Sequence, residues 1–134
     1  MRVRYLIFFF CFYGIYSVSA KNLLINNKEI WHSLLEISVA NKVSEDCDLI
    51  NARKLKGLMA LLEVKNVARQ LGYSDDEISE FVNSEVNRKN LAKQTDKFLK
   101  DSGVDLKYSD QICNFGIDEI EENTQIGSLL RIKN

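Results

Sequence analysis

The chain has 134 residues, of which 46% are hydrophobic and 28% charged, with a formal net charge of −1 at pH 7. That length holds one domain with a modest core, and the mixed-sign charge lacks the basic footprint of a nucleic-acid binder. With no proline and six scattered glycines, the composition favours helices over a sheet with many tight turns.

Residues 1–20 read as a cleavable secretory signal. Arg2 and Arg4 come first without an acid, followed by the apolar run from Leu6 to Tyr13 and by Ile15-Tyr16. Val18-Ser19-Ala20 then forms a small-x-small pattern that places cleavage between Ala20 and Lys21. The apolar stretch is about 12 residues, against the roughly 20 that a spanning helix needs. An uncleaved anchor is the alternative; lipidation at Cys11 is discounted because no small residue precedes it. The expectation is a precursor whose residues 21–134 form a single domain, exported to the periplasm or the extracellular medium, with no stable membrane span after cleavage. Removing Arg2 and Arg4 shifts the net charge to −3.

Cleavage also reduces three cysteines to two, Cys47 and Cys113. An even pair in an oxidising compartment predicts a disulfide. It would close a loop of roughly 65 residues, for which chain entropy gives about 4 kcal/mol. Two buried free thiols are the alternative. Two cysteines and one distant histidine do not make a zinc site, so no metal and no cofactor is expected.

The first helix is expected from Asn27, as N-cap, to about Asp46-Cys47, with Ile30, Leu34, Ile37 and Val43 at helical spacing and Trp31, Leu35 and Val39 beside them. The second runs from about Asn51 to Leu71, with Leu55, Leu58, Met59, Leu62, Val67 and Leu71 as its inward face. Gly72 is placed to end it in the left-handed conformation. Ser74 with Glu77 three residues later is a capping box, opening a short third helix with Ile78, Phe81 and Val82 inward. The fourth covers about Glu85 to Asp101, with Val86, Leu91, Phe98 and Leu99 inward and Gly103 just past its end. After a turn through Val104-Asp105-Leu106, Ser109 is the expected cap of a fifth helix carrying Ile112, Cys113, Ile117 and Ile120. The tail Gln125 to Arg131 is apolar enough to dock. The fold class is all-α: a bundle of about five helices stapled by one disulfide.

No arrangement of side chains in the sequence carries recognisable chemistry. His32 is read as a surface histidine, because adjacent helical residues such as Ser33 point elsewhere and form no dyad with it. Asp118, Glu119, Glu121 and Glu122 are read as a solvated helix face, lacking the alternate-residue pattern of a calcium loop. Nothing marks two acids as the buried pair a glycosidase needs, and phosphate-cradling or dinucleotide glycine motifs are absent. Tyr73 is placed to cover the corner after Gly72, Trp31 to sit in the core or at its edge, and Phe115 to pack on the disulfide. Gly116 is expected to let another backbone approach.

The blocks Cys47 to Arg53, Leu71-Gly72-Tyr73-Ser74-Asp75 with Glu77-Ile78 and Phe81-Val82, Cys113 with Gly116, Glu119-Ile120 and Gln125-Ile126-Gly127-x-Leu129-Leu130-Arg131 together resemble a bacterial family of unknown function. Its members are short, exported, mainly helical proteins with two cysteines at these places. The resemblance spans roughly residues 30–131. This chain departs in being richer in Lys, Asn and Ile, and in having Glu45-Asp46 where members often carry a basic residue before the first cysteine. The resemblance implies fold, export and the cysteine pair, and it implies no activity and no catalytic or ligand-binding residue.

The leading functional expectation is a non-enzymatic binding or interaction protein of the cell envelope, with an envelope protein as partner. The alternative is a carrier of a small apolar ligand held between helices by Met59, Phe81, Phe98 and Trp31; a small carboxylate-based enzyme is a third. A binding protein would expose an apolar patch of several hundred Å². A carrier would hold an apolar pocket of about 300 Å³ or more, and an enzyme would converge ionisable groups in a cleft.

Overall fold

The computed structural model describes residues 24–134; the expected signal segment and its cleavage site lie outside the described residues. A 3-10 turn, Leu24–Asn26, leads into α1 (Lys28–Asp46). The Asn27 side-chain oxygen accepts from the Ile30 N–H at 3.0 Å, giving one of the helix's orphan donors a partner. After α1 come β1 (Ile50–Ala52), α2 (Lys54–Gln70), α3 (Asp75–Asn83), α4 (Glu85–Asp101), α5 (Ser109–Glu121), α6 (Gln125–Ser128) and β2 (Leu130–Ile132). The protein is all-α, with six α-helices among the described residues and one tiny sheet.

Helix α1 is the element on which the rest assembles: α2, α4, α5 and α6 all pack against it. At its end, Cys47 is bonded to Cys113 of α5, with an S–S distance of 1.98 Å and Cα atoms 5.1 Å apart. Around this bridge lies the main core, in which Val39, Val43, Ile50, Leu99, Ile112 and Leu130 are almost fully enclosed. A buried Thr95 ties α4 to α1, its hydroxyl lying 2.8 Å from the Ser38 hydroxyl and 2.9 Å from the Leu91 carbonyl. Lys42 adds an ion pair to Asp46 at 3.0 Å and to Asp96 of α4 at 3.6 Å. The Asp46 hydrogen bond is the main reason the Lys42 pKa is raised.

The corners follow local chemistry. Gly72 and Gly103 take φ of +89° and +84°, the left-handed geometry that a residue with a Cβ resists. Next to the first corner, Ser74 accepts from the Glu77 N–H at 3.2 Å and the Ser74 N–H donates to the Glu77 carboxylate at 2.6 Å. Tyr73, between them, is 9% exposed and sits in a second, smaller core with Leu24, Ile30, Ala68 and Ile78.

Three expectations need correction. Residues 50–52 are not the start of a helix: they pair antiparallel with β2 in the register Ile50–Ile132, Asn51–Arg131 and Ala52–Leu130. The partner strand arrives from the far end of the chain, so local periodicity carries no trace of it. Helix α5 begins at Ser109 itself, with Tyr108 in the cap position. The close backbone approach occurs at Gly127, where a Cβ would lie 1.8 Å from the Glu119 carbonyl oxygen. At Gly116 the neighbours are the side chains of Val43 and Ile50, 2.5 and 2.6 Å from a built Cβ.

Candidate functional site

Helix α2 departs furthest from the sequence expectation. Four of its expected inward residues point to solvent: Leu55, Leu58, Met59 and Leu62 are 74, 55, 62 and 49% exposed. At 3.6 residues per turn they fall in an arc of about 100°. The residues that face α1 lie roughly opposite and are smaller: Gly57, Ala60, Val64, Val67 and Ala68. The helix thus has two apolar stripes, and the bulkier one is outside. At its start the Arg53 N–H donates to the Leu129 carbonyl at 2.7 Å, a contact with the last segment of the chain, and its C-terminal end is capped locally by the Tyr73 N–H on the Ala68 carbonyl at 3.1 Å. Val82 of α3, Val86 of α4 and Leu71 are exposed as well, against expectation.

Small inward residues leave α2 loosely seated. A Cβ added at Gly57 would meet nothing within 4 Å. One hollow of about 330 Å³ opens between α2, α3 and the first turn, lined by Leu24, Ile30, Leu34, Leu61, Phe81 and Val82 among others. A second, of about 270 Å³, runs along the first turns of α2 between Ile37, Ala40, Gly57, Leu58 and Leu129. Leu61 lines both, so they follow one flank of the helix. On the other flank a hollow of about 220 Å³ lies among Ser33, Ile37, Ala60, Val64 and Val67. The largest of these apolar hollows reaches the lower end of the ligand-pocket range, about 300 Å³.

Charge is distributed unevenly along α2. Near its C-terminal end, Arg69 grips Asp75 with two hydrogen bonds of 2.8 and 3.0 Å, and Lys65 lies 3.7 Å from the same carboxylate. The Arg69 hydrogen bond is the main reason the Asp75 pKa falls below its ordinary value, and it raises the Arg69 pKa in turn. At the other end, Arg53, Lys54 and Lys56 share a wide surface hollow with Arg131 of β2, Leu55, Asn51 and Glu45. Among the described residues none of these four cations has an ion-pair partner.

The residues singled out from the sequence are scattered. His32 is 66% exposed, its Nε2 lying 3.4 Å from a Glu36 oxygen on the same helix. Trp31 is half-buried, donates from its indole N–H to Gln94 at 2.7 Å, and meets Phe81 edge-on with ring centroids 6.2 Å apart. Phe98 packs on Phe115 instead, at 6.4 Å, and Met59 stands on the outer face of α2. Of the four residues expected to line a carrier pocket, Phe81 alone borders the largest apolar hollow. Asp118, Glu121 and Glu122 are exposed, while Glu119 accepts a hydrogen bond from the Thr124 hydroxyl. No three His, Cys, Asp or Glu residues among those described stand where they could hold a metal ion, and no described helix is long and apolar enough to cross a membrane. The signal that would have found the outward leucines is the second stripe of small residues at positions 57, 60, 64 and 68, whose spacing of three and four residues marks a contact face.

No curated protein and no solved structure matches this chain. The profile of DUF5333, a family of unknown function, covers residues 22–131, and the chain belongs to that family.

Proposed function

We propose that the protein is a non-enzymatic binding protein of the bacterial envelope and that the outer face of α2 is its working surface. One observation carries this reading: four large apolar side chains of one helix stand in solvent while the same helix turns its small residues inward. Isolated exposed apolar residues are ordinary, but a contiguous row on one helix is the usual mark of an interaction surface. Export through residues 1–20 belongs to this reading, supported by the charge and apolar pattern of that segment and by the Cys47–Cys113 bridge, which an oxidising compartment favours.

Two measurements test it. Protein recovered from the expressing cell should begin at Lys21 and have lost Cys11; a mature chain that keeps residues 1–20 would sink the export claim. A photo-crosslinking residue at Met59 should give more adducts in intact cells than one at exposed Asn114 on α5. Equal yields at the two positions would remove α2 as the working surface.

A second reading has its own observation, the hollow of about 330 Å³ beside Phe81. It is large enough for one short apolar chain or ring, as a carrier would need. Displacement of a fluorescent fatty acid by unlabelled ligand, and its weakening in Phe81→Ala, would support it. No saturable uptake of the probe would dismiss it.

A further inference from the structure

We infer that the partner of the α2 surface is an anionic phospholipid membrane, on which α2 lies in the plane of the interface without crossing it. The inference rests on the proposal that α2 is the working surface and adds the identity of what covers it.

Three features of α2 choose this occupant. The first is charge complementarity. Arg53, Lys54 and Lys56 occupy the same two turns as Leu55, Leu58 and Met59, and Arg131 joins them from β2 across a shared hollow. Glu45 is the acid bordering that hollow, and it accepts a hydrogen bond from Asn41. A short apolar stripe flanked by unpaired cations is the pattern of a helix that rests on an anionic surface.

The second is the kind of apolar group exposed. The helix contains no Trp, Tyr or Phe, and aromatic residues dominate the energetic centres of protein–protein contacts. Leucine and methionine chains enter acyl chains without needing a shaped pocket.

The third is the uneven charge beside α2 itself. Asp75, Asp76, Glu77 and Glu80 belong to α3, which packs on α2 beyond its C-terminal end, whereas Arg53, Lys54, Lys56 and Arg131 surround its first turns. The N-terminal half of the helix is therefore the part that an anionic bilayer attracts. A second copy is a poorer occupant. Laying one α2 on another would bring Lys54 and Lys56 against a helix that is itself mainly basic.

Co-sedimentation of the processed, oxidised protein with vesicles of phosphatidylglycerol and cardiolipin tests the inference, with phosphatidylcholine vesicles as reference. At about 0.1 M salt, where charges are felt over about 10 Å, the anionic vesicles should bind at least tenfold better than the neutral ones. Leu55→Ser with Leu58→Ser should lower that binding at least tenfold, and Arg53→Glu with Lys56→Glu should reduce it to the neutral-vesicle level. Circular dichroism and an intact disulfide show that each variant is folded. If the folded parent protein ignores anionic vesicles, the lipid inference is overturned; the α2 surface itself survives only if Met59 still crosslinks preferentially to protein. Binding that the leucine variant retains in full would also overturn it, since adsorption would then be by charge alone and not through the apolar face.

Discussion

The two ends of α1 support two differently built regions. Around Cys47 the chain is tightly enclosed: twelve buried residues from four stretches of the chain, 39–50, 99–104, 112–113 and 126–130, form one cluster, and at Gly127 there is no room for a methyl group. Around Ile30 five buried residues form the second cluster, and the helix that covers it leaves hollows on both flanks and keeps its leucines outside. Apolar residues are therefore present in both regions but used differently. In the first they hold the chain together; in the second they are left for something else to cover. Stability and the candidate binding surface are consequently separable by mutation.

The largest effect should come from opening the bridge. Cys47→Ala with Cys113→Ala frees a loop spanning a sequence separation of 66 residues, for which chain entropy predicts a loss of about 4 kcal/mol. Urea unfolding of the two proteins gives the value directly. A loss below about 1 kcal/mol would mean that the disulfide region is not the stable half. Leu99→Ala comes next: Leu99 is fully buried in the same cluster, and emptying that space should cost about 3 kcal/mol. Gly127→Ala should follow at about 2 kcal/mol, because α6 must move away from the Glu119 carbonyl to admit a Cβ. The matching substitution in the other region, Leu55→Ala, should change stability by less than about 0.5 kcal/mol. Should Leu55→Ala prove as costly as Leu99→Ala, the division between the regions collapses.

The same division explains what could be read from the sequence. Helix positions, the capping box at Ser74 and Glu77, and the glycine corners depend on residues within a few positions of one another, so spacing reveals them. The β1–β2 pair depends on residues some eighty positions apart, which no local window joins. The rotation of α2 is not legible in the sequence for a related reason. Its leucine stripe and its small-residue stripe are both periodic, and size alone favours the larger residues for the core. The start of α2 is tied to the Leu129 carbonyl from far along the chain, again a contact that no local window contains. The candidate site is therefore hidden in a helix whose seat depends on a segment distant in sequence.

The smallest effect sits where the two regions differ in electrostatics. Asp75 is exposed at the edge of the α2–α3 hollow and held by Arg69 and Lys65, so solvent screening keeps its contribution modest. Its folded-state pKa is lowered, chiefly by the Arg69 hydrogen bond, from an ordinary value of 3.8. The native state therefore binds fewer protons than the unfolded state in the window below that value. Its contribution is present above about pH 4 and disappears as pH falls through the lowered folded value. The carboxylate also stands in the first turn of α3, where the helix dipole favours a negative charge. Asp75→Asn should accordingly lower the melting temperature slightly at pH 6 and by less at pH 2, as acid moves the parent carboxyl toward its neutral form. An equal difference at both pH values would assign the effect to packing and not to charge. Hydrogen exchange at pH 6 locates it further: the variant should lose protection in α3 and keep it in α5, because the contact that Asp75 secures lies on the loosely built side of α1.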